Sequence, residues 1–202
     1  PEPFGVVIHL RIGEQILIVA EAERFGEKPF ECISDKPGVY QWWASKSDLL
    51  FILQALGMQF PNVQNDLEEQ DGYYCIYVGI AWRESLRSRL NWHINQKNTI
   101  SSVKSKFLST LRQSIAAVLG VPMTDTDAVN DFMDRLQVSY GEMDFAIRSQ
   151  DAKQAAHGWE RNKFNSGKLY ILNIQGNRTH PQSPCKKLRE LRAIARQKAL
   201  NG

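Results

Sequence analysis

Cysteine is scarce in this chain of 202 residues, and its distribution excludes several classes of protein. The three cysteines, Cys32, Cys75 and Cys185, are odd in number, far apart in the sequence and without a C-x-x-C pair. This pattern argues against a disulfide framework and against a zinc knuckle, and it fits a reducing cytoplasm. The four histidines are equally scattered, so the sequence predicts no histidine-based metal cage.

Long apolar stretches are also missing. The run at 15–20 has the length of a strand, whereas a membrane-spanning helix needs about 20 apolar residues. A basic segment followed by an apolar run is absent near the first residue, so we expect no signal peptide and a cytoplasmic location. With 43% apolar and 23% charged residues, the composition is that of a folded globular protein.

Opposite charges are segregated along the chain, although the net charge is only +3. Residues 1–71 hold 5 basic and 12 acidic side chains. Residues 72–112 and residues 178–202 each hold 7 basic side chains and 1 acidic one. Two basic blocks of this kind favour a phosphate-bearing partner, and a solvated helical face is the structural alternative.

Apolar periodicity predicts an α+β fold with a small central β-sheet and helices packed against it. Strand-like runs on both sides of Gly13 predict an N-terminal β-hairpin, and further strands are expected at 39–44, 73–80 and 135–140. An acidic surface loop is expected at 61–72. Helices are predicted at 49–56, 82–96, 103–119, 126–133 and 151–164, with a basic C-terminal helix at 184–200.

Two of the predicted strands carry the residues with the clearest chemistry. The first contains Gly38-Val39-Tyr40, and the second contains Tyr77-Val78-Gly79 after 36 intervening residues. The next helix presents Arg89 and His93 one turn apart at the edge of its apolar stripe. Two phenols, a guanidinium and an imidazole that converge suit phosphodiester chemistry. Taken singly, such residues are more often sheet aromatics or solvated helical side chains.

The order of these motifs resembles the GIY-YIG endonuclease family, and in particular its bacterial, restriction-like branch. Glu160 and Asn173, downstream of the arginine helix, extend the resemblance. It implies a GIY-YIG-type core and three segments along the chain: an N-terminal β extension at 1–35, a nuclease core at 36–177 with an insertion at 45–72, and a basic C-terminal helix at 178–202 packed on the same domain.

The resemblance implies a catalytic set of Tyr40, Tyr77, Arg89, His93, Glu160 and Asn173. Glu160 is the expected ligand of Mg²⁺, with Mn²⁺ as an alternative, because Mg²⁺ binds through one or two carboxylates together with the substrate phosphate. Glu142 and Asp151 fit the position of the metal ligand less well. Asn177 competes with Asn173 for the asparagine role.

Each remaining member of the set has an expected task. Arg89 would grip the scissile phosphate, because a guanidinium is permanently charged and forked. Tyr40 would activate the attacking water, and it would need help from a metal or a cation because the pKa of a free phenol is near 10. Tyr77 would orient the water or the phosphate. His93 would share in proton transfer or hold a phosphate oxygen, and Asn173 would fix the glutamate helix or the strand beside it.

Basic side chains on two helices are the predicted DNA contacts: Lys104, Lys106 and Arg112 on one, and Lys187, Arg189, Arg192 and Arg196 on the other. Their spacing is equally that of a solvated helical face.

The sequence therefore predicts a Mg²⁺-dependent DNA endonuclease of the restriction or defence type, active as a monomer or homodimer and without a membrane partner or a small-molecule cofactor. The alternatives are a structure-specific DNA repair nuclease and a catalytically silent nucleic-acid-binding module of the same fold.

Overall fold

The computed structural model describes residues 16–18 and 33–201. One antiparallel sheet forms in these segments from β1 (Ile16–Ile18), β2 (Gly38–Ser45), β3 (Glu69–Gln70), β4 (Tyr73–Ala81) and β5 (Gln137–Glu142). The strand order is β1-β5-β2-β4-β3, so β2 and β4 are direct neighbours.

Eight α-helices surround this sheet in the described part of the chain. They are α1 (Lys46–Ala55), α2 (Phe60–Val63), α3 (Leu86–Asn95), α4 (Ile100–Lys104), α5 (Thr110–Leu119), α6 (Thr126–Met133), α7 (Gln150–Asn165) and α8 (Cys185–Asn201). The predicted α+β class is confirmed. Among the described residues, no helix combines the length and apolar character that crossing a membrane requires.

Short polar side chains begin most of these helices. The hydroxyl or carboxylate oxygen at the N-cap accepts a hydrogen bond from a backbone N–H in the first turn, which satisfies one of the donors left free there. The N-cap residues are Ser45, Ser85, Thr99, Ser109, Asp125 and Ser149. Ser85 and Ser109 set the starting points of α3 and α5, the helices whose side chains contact Tyr40 and Tyr77.

The register of β2 and β4 brings the two tripeptide motifs together. Tyr40 lies opposite Gly79, and Trp42 lies opposite Tyr77. Helix α3 covers the sheet face that carries Tyr40 and Trp42, where both rings approach His93. Helix α7 packs on the other face, which carries Val39. The motif tyrosine is therefore enclosed between the sheet and α3.

The predicted N-terminal hairpin lies outside the described residues except for β1, which pairs with β5. Residues 45–72, predicted as an insertion, contain α1, α2 and β3. The stretch 61–72, predicted as a surface loop, includes a 3-10 turn and β3, and it buries Val63 and Leu67 in the core. Apolar side chains among acidic ones therefore anchor this segment.

The single helix predicted at 103–119 is in fact two helices, α4 and α5. The chain turns between them through Lys106, whose φ of 62° lies in the left-handed region. Ser109 then caps α5 by accepting a hydrogen bond from the Arg112 amide. The apolar Phe107 lies on the connecting segment, where it is 68% exposed.

Arg112, predicted as a DNA contact, is fully buried, so that prediction is wrong. Its guanidinium donates to Asn98 Oδ1 and Asn130 Oδ1, each at 2.7 Å. It also donates to the carbonyl oxygens of His93 and Ile94, each at 3.1 Å. These carbonyls belong to the last turn of α3, where a cation is favoured. Arg112 therefore joins α3, α5 and α6 inside the domain.

We expect Arg112→Ala to lower the free energy of unfolding by about 3 kcal/mol or more, because each buried polar group left unsatisfied costs about 1–3 kcal/mol. Urea denaturation followed by circular dichroism measures this change. The exposed Lys104 is the control, since Lys104→Ala should change stability by about 0.5 kcal/mol or less. Equal stability of the two variants would contradict the structural role of Arg112.

Candidate active site

The Tyr40 hydroxyl connects the first motif to helix α3. Arg89 Nε donates to it at 3.3 Å, and His93 Nε2 lies 2.7 Å from it. Because a guanidinium only donates, the Tyr40 oxygen accepts from Arg89 and its own proton is free for His93 Nε2. The remaining ring proton of a neutral His93 then lies on Nδ1, which is 2.6 Å from Ser109 Oγ. A continuous hydrogen-bonded chain runs from Arg89 to Ser109.

Burial sets the protonation states in this chain. It raises the pKa of Tyr40 above its usual value, and the positive charge of Arg89 partly opposes the rise. It also lowers the pKa of His93 well below its usual value, and the charges of Arg89 and Arg112 lower it further. At neutral pH the tyrosine is therefore protonated and the histidine is neutral, which is the pairing that their hydrogen bond requires.

The glycine of the second motif makes room for the tyrosine of the first. A Cβ atom at Gly79 would lie 2.3 Å from both Cζ and the hydroxyl oxygen of Tyr40. At Gly38, a Cβ would meet Leu86 Cδ1 at 2.3 Å and the carbonyl oxygen of Gly141 at 2.4 Å. Both motif glycines are therefore required because other atoms approach them too closely for a side chain. At Gly79 these atoms belong to the Tyr40 phenol.

Tyr77 lies beside this chain of contacts and faces the N-terminus of α5. Its hydroxyl is 2.9 Å from Thr110 Oγ1. Burial raises the pKa of Tyr77, and the charge of Glu160 adds to the rise, whereas the Thr110 contact, Arg89 and Arg192 oppose it. The phenol therefore experiences one carboxylate and two guanidinium groups. Arg192 reaches this region from α8, where it donates to Gln113.

Asn173 ties a buried loop to the second motif strand. Its Oδ1 accepts from the Val78 amide and its Nδ2 donates to the Val78 carbonyl oxygen, each at 2.9 Å. Asn177 instead donates to the carbonyl oxygens of Tyr170 at 2.6 Å and Asn173 at 3.0 Å. Asn173 therefore fixes β4 next to Tyr77, and Asn177 holds the loop that carries Asn173.

Glu160 lies on α7, the helix that packs on the sheet face opposite Tyr40. Its side chain is 27% exposed, and Oε2 lies 3.6 Å from His157 Nδ1. Burial raises the pKa of the Glu160 carboxyl, and His157 opposes this rise. The carboxylate lines a surface cleft together with the amides of Gln154 and Gln175. It is the only acidic side chain among the described residues that line this cleft.

The donors around Glu160 are compatible with Mg²⁺. In the described part of the chain, histidine, cysteine, aspartate and glutamate form no group of three that could hold a metal. One carboxylate with amide oxygens nearby suits Mg²⁺, which keeps several waters and takes further oxygens from a substrate phosphate. The competing acids differ, because Glu142 accepts from Ser34 Oγ at 2.9 Å and Asp151 is exposed in the first turn of α7.

Two functional features were missed from the sequence. Arg89 forms a salt bridge with Glu84, from Nη1 to Oε1 at 3.1 Å, so the side chain that was predicted to bind the phosphate already has an acidic partner. The contact of Ser109 with His93 was missed because one continuous helix was predicted at 103–119. A serine in a turn before an apolar run is an N-cap signal that could have revealed it. The predicted DNA contacts Lys104, Lys106, Lys187 and Arg189 are exposed.

The structure thus brings Tyr40, Arg89 and His93 into direct contact, places Tyr77 beside them, and puts Glu160 and Asn173 on adjoining elements. A family model described as the GIY-YIG catalytic domain matches residues 38–194. The chain belongs to this family. The GIY-YIG match begins at the first motif glycine and ends within α8, and it supports nuclease activity. No curated protein and no solved structure matches the chain.

We expect Gly79→Ala to reduce cleavage of plasmid DNA by about 100-fold, because the added methyl group displaces Tyr40 and misplacement by about 1 Å can cost that much. Initial rates of plasmid nicking measure the loss. Ile80→Val is the matched control, since Ile80 is the next residue on β4 and packs with the residues around Val39 on the other sheet face. An active Gly79→Ala variant with an intact fold would contradict this role of the glycine.

Proposed function

We propose that this GIY-YIG domain is a Mg²⁺-dependent DNA endonuclease of the restriction or defence type. The proposal depends chiefly on one observation, the contact of the Tyr40 hydroxyl with both Arg89 and His93. A phenol between a permanently charged guanidinium and a neutral imidazole has the groups needed to transfer a proton beside a phosphate. Glu160 adds a carboxylate whose charge acts on Tyr77, the neighbour of this contact.

Arg89 would bind the scissile phosphate by exchanging partners. Its guanidinium is now held by Glu84, and its side chain is 27% exposed. A phosphodiester presents two non-bridging oxygens to the guanidinium fork, whereas Glu84 holds Arg89 through one contact at 3.1 Å. The Tyr40 side chain is fully buried, so we expect the movement of Arg89 toward a phosphate to open access to its hydroxyl.

Tyr40 would act as the base through a relay. Burial disfavours a free phenolate at neutral pH, so Tyr40 is protonated before the reaction begins. As its oxygen accepts a proton from the attacking water, its own proton would move to His93 Nε2, 2.7 Å away. The negative charge of the bound phosphate would have to offset the burial and the two guanidinium groups that oppose protonation of this imidazole. Ser109 would hold the other ring nitrogen throughout. Arg89 would stabilise negative charge that develops on the phenol and on the phosphate.

Glu160 would hold the metal, with Gln154 and Gln175 nearby as amide donors. When bound, Mg²⁺ supplies a Lewis acid that stabilises charge on the phosphate and on the leaving oxygen. A single carboxylate is a weak site by itself, so the phosphate of the substrate would complete it. Asn173 would keep β4 and Tyr77 in place relative to this helix through its two bonds to Val78.

The exposed basic residues Lys104, Lys106, Lys187 and Arg189 would contact phosphates along the DNA. They agree with the two basic blocks of the sequence, and α8, which carries Lys187 and Arg189, packs against α5 beside Tyr77. Such contacts position DNA without reading its sequence. The pattern of cuts on a mixed-sequence plasmid and on branched DNA would separate a restriction-type enzyme from a structure-specific repair nuclease.

We expect Glu160→Ala to abolish plasmid cleavage in Mg²⁺ while DNA binding persists, because the metal ligand is lost and the basic surface is unchanged. Lys187→Ala should instead keep the cleavage rate at saturating enzyme, weaken binding and reduce the slope of log affinity against log salt by about 0.9. Gel-shift titrations at several salt concentrations, with cleavage assays in Mg²⁺ and in EDTA, measure both effects. Full cleavage by Glu160→Ala would show that another group holds the metal.

A further inference from the structure

A surface groove beside Arg89 is not used by the proposed chemistry. Among the described residues it is lined by one side of α3, by the segment between α4 and α5, and by Arg83 and Arg148. Trp92 and Phe107 form its aromatic part, and we call it the Trp92–Phe107 groove. Because Arg89 lines it as well, any molecule in the groove would be adjacent to the phosphate-gripping side chain.

The aromatic part of the groove presents a stacking surface. The ring centroids of Trp92 and Phe107 are 5.8 Å apart, and the Arg89 guanidinium lies over the Trp92 ring at 4.4 Å from its centroid. The Phe107 side chain is nonetheless 68% exposed. Gln96 Nε2 donates to the Phe107 carbonyl oxygen at 2.9 Å and holds this backbone in place. A large aromatic side chain is thus fixed in contact with solvent beside the active site.

The rim of the groove is positively charged. Arg83, Lys106 and Arg148 line it and have no acidic partner in the part of the chain that the structure describes. The only acid in the described lining, Glu84, is engaged by Arg89. A partner that neutralises this rim carries several negative charges, as a nucleic-acid strand does.

Two polar atoms of the lining residues have no hydrogen-bond partner within the described residues. They are the donor Trp92 Nε1 and the acceptor Asn95 Oδ1, and both are buried. Buried polar atoms are nearly always hydrogen-bonded, so such exceptions call for a partner. A nucleobase supplies both a donor and an acceptor on its edge, together with an aromatic face, and the lining side chains would have to move to expose the two buried atoms to it.

We propose that the Trp92–Phe107 groove binds a nucleotide that has left the base stack next to the scissile phosphate. The inference rests on the proposed function and adds to it a distinct feature of the substrate. The base stacks on Phe107, and the flanking phosphates lie near Arg83, Lys106 and Arg148. In a fully paired duplex this nucleotide must first be extruded, whereas an unpaired nucleotide enters without that cost.

Binding of two matched DNAs tests the proposal. One is a fully paired duplex, and the other is the same duplex with a single unpaired 2-aminopurine, whose fluorescence falls when it stacks. Titrations in Ca²⁺ separate binding from cleavage. We expect the wild-type protein to bind the second DNA on the order of tenfold more tightly and to quench its fluorescence, because base–aromatic stacking contributes an effect of that size.

Phe107→Ala should abolish both the preference and the quenching, whereas Phe107→Tyr should retain them, since tyrosine also stacks. The matched control is Phe51→Ala, which removes an exposed phenylalanine of α1 outside the groove and should behave as the wild type. Thermal unfolding confirms that each variant folds. Arg83→Gln should weaken the binding of both DNAs and reduce the salt slope.

A wild-type protein without the preference would overturn the proposal, as would Phe107→Ala with unchanged preference and quenching. Both results would point to another occupant of the groove, such as a protein partner. Nicking of ordinary plasmid DNA by the wild-type protein distinguishes this failure from failure of the proposed function. If the protein cuts plasmid DNA but does not prefer the DNA with the unpaired nucleotide, only the role of the groove is contradicted.

Discussion

The hydrogen bond between Tyr40 and His93 is the interaction on which the rest of this site depends. It joins the first motif strand to helix α3 inside a region from which water is excluded, because both side chains are fully buried. Its formation requires the close approach of Tyr40 to Gly79 across the β2–β4 pair. The two motifs of the GIY-YIG family therefore form one contact, in which Gly79 of the second motif leaves the space that the Tyr40 phenol of the first motif occupies.

Two guanidinium groups lie close to this contact, although the Tyr40 and His93 side chains are themselves neutral. Arg89 donates to the phenol, and Arg112 donates to the backbone carbonyl of His93. Both charges oppose protonation of His93, so the imidazole keeps a lone pair for Tyr40. Glu84 balances Arg89 in the free protein. In the proposed reaction, a phosphate would take the place of Glu84 beside Arg89.

The sequence was sufficient for the fold class, because that class depends on strand-like and helical periodicity. The family resemblance grouped Tyr40, Arg89 and His93, and the structure places these three side chains in contact. The sequence was not sufficient to predict the burial of Arg112. Helical periodicity treats an arginine as a solvated charge, whereas this one is buried by acceptors from α3 and α6 that only the tertiary structure assembles. The break between α4 and α5 was missed because apolar spacing continues through Phe107. The steric role of Gly79 could not be read before the strands were paired.

Tyr40→Phe tests the central claim most directly, because it removes one hydroxyl from the contact and leaves the ring in its packing. We expect cleavage of plasmid DNA in Mg²⁺ to fall by about 100- to 10,000-fold, the usual contribution of a positioned acid or base, with DNA affinity unchanged. A Tyr40→Phe protein that cuts DNA at the wild-type rate would contradict the account, since the phenol would then be a packing residue and the base would lie elsewhere.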